Sequence, residues 1–195
     1  SKPTADGFLL DLQKLKTTGR WGMFHELGHN MQRRVWTFKG TGEVTCNIFT
    51  LHAMEVISSQ KPWIHSWLDK QMPKINQTLQ SDDPYKMWCQ NPGVALGIYA
   101  QLQHCFGWDA YKIVFSHYEN LQENKKPKSD NDRIDYWVKI FSKTVGYNLC
   151  PLYDFWAIPV GDKAREEVKD LPSFLPEDEM TALAPGRVKQ VEEKY

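Results

Sequence analysis

The sequence lacks a long apolar run: nothing in its 195 residues approaches the ~20 consecutive apolar positions that span a bilayer. A transmembrane helix is therefore not expected, and the start, SKPTADGF, has neither the basic nor the apolar region of a signal peptide. An excess of charge is also missing, since 24 Lys and Arg balance 24 Asp and Glu. No chain-wide attraction to nucleic acid or to an anionic membrane follows, so neither is expected as a partner. The four cysteines, Cys46, Cys89, Cys105 and Cys150, form no Cys-x-x-Cys pair. That spacing excludes a cysteine-based structural zinc site or redox motif of the usual kind and leaves buried free thiols as the expectation. Alternating polar and apolar runs bounded by turns are scarce as well, which argues against a sheet.

Helical periodicity is abundant instead, and the expected fold is mainly α. The length suits one domain over 1–195, with a helical core over 1–160 and peripheral C-terminal helices over 161–195. Phe8, Leu9, Leu12 and Leu15 mark a first short helix closed by Gly19. A second runs from near Trp21 to about Arg33, and a third from Thr41 or Gly42 to about Ser58. Pro62 suits the first turn of a helix ending near Met72, and SDDPY reads as a loop. Helices follow over Val94 to Phe106 and Asp109 to Gln122, separated by Gly107. ENKKPKSDND reads as an exposed loop that ends with Asp130 or Asn131 capping a helix to about Gly146. A short buried helix is expected from Pro151 to Trp156. Eight Trp, eight Tyr and nine Phe fit a bulky helical core or an aromatic-lined cleft.

The chemistry concentrates in HELGHNMQRRVWTFKGTGEVTCN, from His25 to Asn47. Residues four apart share a helix face, so His25 and His29 can present ring nitrogens to a single ion. Two imidazoles and one carboxylate suit zinc and leave a fourth position for water, the mark of a catalytic rather than a closed site. Glu26 projects about 100 degrees round the helix from His25, towards the bound water instead of the metal, and is the expected general base. The favoured third ligand is Glu43, at the start of the next helix, where the helix dipole stabilises a carboxylate. Asn47, one turn on, can orient a ligand imidazole through its second nitrogen. Glu55 is the rival third ligand, about three turns away on the same helix. A chance HExxH in a chain this long is on the order of one per cent. His52, His65, His104 and His117 lack ligand spacing and read as ordinary histidines. Tyr99, His104 and Tyr147 are available as oxyanion donors, but spacing does not place them.

These residues resemble the enhancin-like, mucin-targeting gluzincin peptidases, and within them the TRP-channel-associated factor branch. The resemblance covers about Trp21 to Val160. It is carried by WGMFHELGHNMQRRVWTFKGTGEVTCNIFTLH, ALGIYAQLQHCFGWDAYKIVF and IDYWVKIFSKTVGYNLCPLYDFWAIPV. It implies the helical catalytic subdomain of a zinc peptidase, with His25, His29 and Glu43 as ligands of one Zn2+ and Glu26 catalytic. It also implies a protein or O-glycosylated mucin-like glycoprotein substrate, or alternatively a regulatory or adaptor role at a TRP channel. The location would be cytoplasmic or plasma-membrane-associated in the channel branch and extracellular for a mucin peptidase. Because Ser1 opens the chain and only 24 residues precede His25, a fragment of a longer protein is expected, in which the zinc can be absent.

Overall fold

The computed structural model describes residues 12–195, and the expected contributions of Phe8 and Leu9 to the first helix lie outside them. The fold is helical: among the described residues the single β feature is an isolated parallel bridge between Asn148 and Ser173. No helix there is long and apolar enough to cross a membrane. In chain order the helices are α1 (Leu12–Thr17), α2 (Trp21–Met31), α3 (Gly42–Ser58), α4 (Ser66–Asp69), α5 (Pro73–Leu79) and α6 (Pro84–Gln90). They continue with α7 (Pro92–Glu119), α8 (Asp130–Val145), α9 (Cys150–Phe155), α10 (Asp162–Glu166) and α11 (Pro185–Glu192).

The core forms around α7, whose first half is buried without interruption from Gly93 to Leu102. A helix apolar on every side has to sit inside, and α3, α6 and α8 cover this one. The stripe of α8, Ile134, Trp137, Val138 and Phe141, meets the rings of Tyr99, Tyr111 and Tyr118. One polar group inside is Gln101, which accepts from Trp156 Nε1 at 2.6 Å and donates to Asp178, so its burial leaves no orphaned atom.

Several local expectations give way to tertiary packing. The break expected at Gly107 is present, however, since its backbone (φ 71°, ψ 178°) leaves helical geometry and α7 is two helical stretches that meet there at a kink, an angle open to glycine and costly for other residues. The helix expected through Met72 shrinks to the single turn of α4, where the buried His65 accepts from Trp67 N. Two unexpected helices, α5 and α6, begin at Pro73 and Pro84; proline reads as a breaker in sequence yet is well suited to a first helical position. Asp83 of the expected loop caps α6 through Lys86 N. The cap of α8 is Ser129, in a reciprocal box with Asp132, rather than Asp130 or Asn131. All four cysteines are free, but Cys89 is half-buried and Cys105 exposed, so burial holds for Cys46 and Cys150 alone.

The contact that positions the functional helices lies between α2 and α3. Gly28 faces Cys46, and a β-carbon at Gly28 would stand 2.3 Å from the Cys46 carbonyl oxygen. Only a hydrogen lets the two backbones approach so closely. Gly28→Ala is expected to drive α2 off α3 and to cost about 1–2 kcal/mol after the helix propensity gained by alanine is subtracted. Thermal unfolding together with zinc titration measures both consequences, and an unchanged pair of values would remove the close contact from the account.

The C-terminal elements are fastened at Asp154 on α9. Arg165 engages it with two guanidinium nitrogens at 2.6 and 2.9 Å, Lys194 reaches it at 2.7 Å and the Tyr195 hydroxyl donates at 2.8 Å. Burial alone would raise this carboxyl, but the hydrogen bonds from Arg165, Lys194 and Tyr195 outweigh it and hold the group below the usual carboxylate range. A depressed native value means that the stabilisation is complete above the unfolded value of about 3.9 and is lost as pH falls through the native one. Asp154→Asn should therefore lower stability by about 3 kcal/mol at neutral pH and flatten the acid limb of the stability profile, both readable by urea unfolding across pH.

Candidate metal centre

The centre is assembled from α2 and the first turn of α3. On α2, His25 and His29 stand one turn apart on the face turned to α3, with ring centroids 4.7 Å apart. Glu43 enters from α3, its carboxylate well exposed, and Glu26 is exposed on the solvent side of α2. The Glu26 carboxylate has no hydrogen bond or ion pair among the described residues.

Each imidazole is held from behind. Asn47, 2 % exposed, donates through Nδ2 to the Glu43 carbonyl at 2.9 Å, which turns its Oδ1 to the His25 ring. His25 Nδ1 donates to that oxygen at 2.8 Å. Gln32 does the same for the second ring. Its Nε2 donates to the Gly42 carbonyl (2.8 Å) and to Thr45 Oγ1 (2.6 Å), so its Oε1 is the atom that accepts from His29 Nδ1 at 2.8 Å. With both Nδ1 atoms protonated as donors, both Nε2 atoms carry a bare lone pair. Asn47 was legible as an outer partner at i+4 from Glu43. Gln32 escaped notice although it lies three residues after His29, the spacing at which helix-surface side chains meet.

The two lone pairs point at one another. His25 Nε2 and His29 Nε2 are 3.2 Å apart, and Glu43 Oε2 is 3.1 Å from the first and 3.5 Å from the second. When both rings are neutral with the proton on Nδ1, all three converging atoms are acceptors, an arrangement that a cation at their centre converts from repulsive to attractive. The donor set of two imidazoles and a carboxylate fits a metal ion of intermediate softness.

Cys46 also belongs to this group, all of whose candidate ligand atoms lie within 4.8 Å of one another. Its Sγ, however, is 3.5 Å from His25 Nδ1, on the side of the ring away from the convergent lone pairs. Burial, reinforced by the negative Glu43, pushes the thiol up to about 12, so it stays protonated and packs behind the ring. Glu55 is not drawn into the cluster and instead accepts from Trp108 Nε1. Tyr99 is buried against Trp137, His104 stacks on Trp63 at 4.2 Å and Tyr147 packs on Phe174. None of these three has a hydrogen bond or ring contact with His25, His29 or Glu43 among the described residues.

The flanks of the cluster differ in character. One turn before His25, Trp21 stacks on Trp67 with ring centroids 4.8 Å apart and leans on His65, making an aromatic shelf beside the first imidazole. On the outward face of α2, Leu27 and Met31 are more than half exposed next to Glu26.

Comparison with known proteins places this arrangement in a wider group. The chain is 34% identical over 173 residues to TRPM8 channel-associated factor 1 of Homo sapiens, covering 87% of this chain and 18% of that protein. It is 32% identical over 170 residues to TRPM8 channel-associated factor 2 of Mus musculus, covering 85% and 18%. The chain thus spans under a fifth of the length of these relatives. The crystal structure of a functionally unknown conserved protein from Bacillus anthracis str. Ames superposes with a TM-score of 0.70 at 28% identity, covering 88% of this chain and 34% of the other. The family model for peptidase M60, enhancin and enhancin-like, matches residues 2–157, and the chain belongs to that family.

Proposed function

We propose that the chain is the metal-holding part of a zinc-dependent peptidase, with His25, His29 and Glu43 as the ligands of one Zn2+ and Glu26 as the general base. The observation that carries this reading is the convergence of two imidazole Nε2 atoms and a carboxylate oxygen within 3.5 Å. Three protein ligands leave a position open for a reacting group. When bound, zinc supplies Lewis-acid polarisation of a carbonyl and acidifies water at that open position.

The chain's own residues supply the rest. Glu26 follows His25 on α2, and its carboxylate, which has no ion pair among the described residues, takes the proton of the attacking water and passes it to the departing amine. Asn47 and Gln32 accept from Nδ1 of each ring and so favour the tautomer that turns Nε2 to the cation as a lone pair. The stacked rings of Trp21 and Trp67 offer apolar surface one turn before the first imidazole. Membership of an enhancin-like family supports a protein substrate, O-glycosylated and mucin-like in the finer version of this reading.

A second reading is favoured by the relatives: a regulatory or adaptor module of a TRP cation channel that keeps the peptidase fold without needing turnover. The second reading keeps the fold with or without zinc, and the two part company at Glu26.

Elemental analysis of the purified chain is expected to give one zinc per chain, lost in His29→Ala. Gln32→Leu should keep the fold and weaken zinc binding by about tenfold to a hundredfold, as the loss of an outer-shell partner does. Zinc retained in full by His29→Ala would dismiss the ligand set. For the base, the full-length protein is to be compared with Glu26→Gln on mucin-type glycoproteins, where cleavage should fall by at least about a hundredfold while zinc content is unchanged. Equal cleavage by both forms removes Glu26 from the mechanism. Channel surface expression that survives Glu26→Gln but not deletion of the domain selects the adaptor reading.

A further inference from the structure

The zero net charge of the chain conceals a local separation of charge. The polar segment 123–128 forms a single 3-10 turn, Glu123–Lys125, and then lies along α8 as a ridge between two grooves. The first groove, about 330 Å3, is walled by α8, α10 and the ridge, and five lysines line it: Lys125, Lys126, Lys128, Lys139 and Lys163. The second, about 340 Å3, shares Lys126 and Lys128 and adds Arg34 and Arg133. Neither groove is lined by a residue of α2 or α3, so this surface is separate from the metal centre.

The acids of the first groove are already committed. Asp132 accepts from the Ser129 backbone N–H at 2.9 Å in the cap of α8, and Asp135 accepts from the Gly161 N–H at 2.7 Å. Glu167 is shared by Lys139 and Lys143, both at 3.4 Å, and Lys126 is paired with Glu123 at 2.6 Å. Lys125, Lys128 and Lys163 remain without a carboxylate partner among the described residues. Exposed lysines ordinarily spread over convex surface, where water separates them. Here Lys125, Lys128 and Lys163 border one concavity in which five lysines outnumber the carboxylates of Asp132, Asp135 and Glu167 by two, and its low-dielectric walls focus that surplus on the space between them.

We propose that this groove binds a compact polyphosphate, several phosphate groups carried on a small scaffold. The volume lies at the lower end of the range for small-ligand sites, too small for a long polymer to be enclosed. Lysine acts on phosphate as a mobile point charge with three donors, and phosphate monoesters carry close to two charges each near neutral pH. One such group already balances the surplus of two and further groups reach the remaining unpartnered ammonium groups, whereas a single sulfate ester with one charge leaves part of it standing. The same chemistry is presented by a soluble inositol polyphosphate and by a phosphorylated lipid headgroup.

The test titrates the 195-residue chain with inositol hexakisphosphate by calorimetry at about 0.1 M salt, where charges one groove-width apart still act on each other. Cosedimentation with phosphatidylcholine vesicles, with and without phosphatidylinositol bisphosphate, runs in parallel. Saturable binding is expected, weakened by at least about tenfold in Lys125→Gln/Lys128→Gln/Lys163→Gln and kept in the corresponding triple arginine variant. Lys74→Gln/Lys86→Gln/Lys189→Gln, which removes the same charge elsewhere, should bind as the parent does. Binding to the soluble probe alone assigns the groove to a free polyphosphate, and binding to both assigns it to the headgroup. No binding by the parent chain, equal losses in the two glutamine variants, or equal affinity for a sulfated oligosaccharide of matched charge would each overturn the proposal.

Discussion

The close contact of α2 and α3 at Gly28 is the constraint on which the centre depends. Two histidines one turn apart on a helix define a line of donors, and a third ligand has to reach that line from a separate element. Glu43 sits in the first turn of α3 and has a short side chain, so it reaches only if the two helix axes are unusually near. A glycine against a carbonyl oxygen makes them so, since the place of a methyl group is taken by backbone. The same approach buries Cys46 and Asn47 beneath the first imidazole, where one fills space and the other fixes the proton.

The polarity of the side-chain network follows from that packing. Asn47 and Gln32 each spend their NH2 group on α3, on the Glu43 carbonyl and on Gly42 and Thr45 respectively. Each then has only an oxygen to turn to its histidine, so the tautomer of both rings is dictated by the backbone and a hydroxyl of the neighbouring helix. The outcome is two Nε2 atoms and a carboxylate oxygen aimed at one point. Such preorganisation is what a metal centre requires and what an ordinary surface histidine pair lacks.

Away from the centre the molecule treats charge in two contrasting ways. Around Asp154 a carboxylate collects Arg165, Lys194 and Tyr195, so that charge is consumed and the last helix is fastened to the core. Along the 123–128 ridge the acids are drawn into caps and backbone contacts, and lysines are left facing a groove. Net charge cannot distinguish the two, because it sums over residues that packing has separated.

The amino-acid sequence by itself determined what is periodic and local. The helical class, the pairing of His25 with His29 and the divergence of Glu26 from them follow from 3.6 residues per turn, which acts over neighbours in the chain. The spans of α3 and α8 were legible for the same reason. Proline at Pro73 and Pro84 was ambiguous between stop and start, and so α5 and α6 were not foreseen. Only the tertiary structure decided what depends on the separation between elements. It brought Glu43 rather than Glu55 to the histidines, set Gln32 behind the second ring and turned Cys46 away from the centre. These are matters of how near two backbones come and which way a side chain is then forced to turn, and no spacing along the chain encodes either.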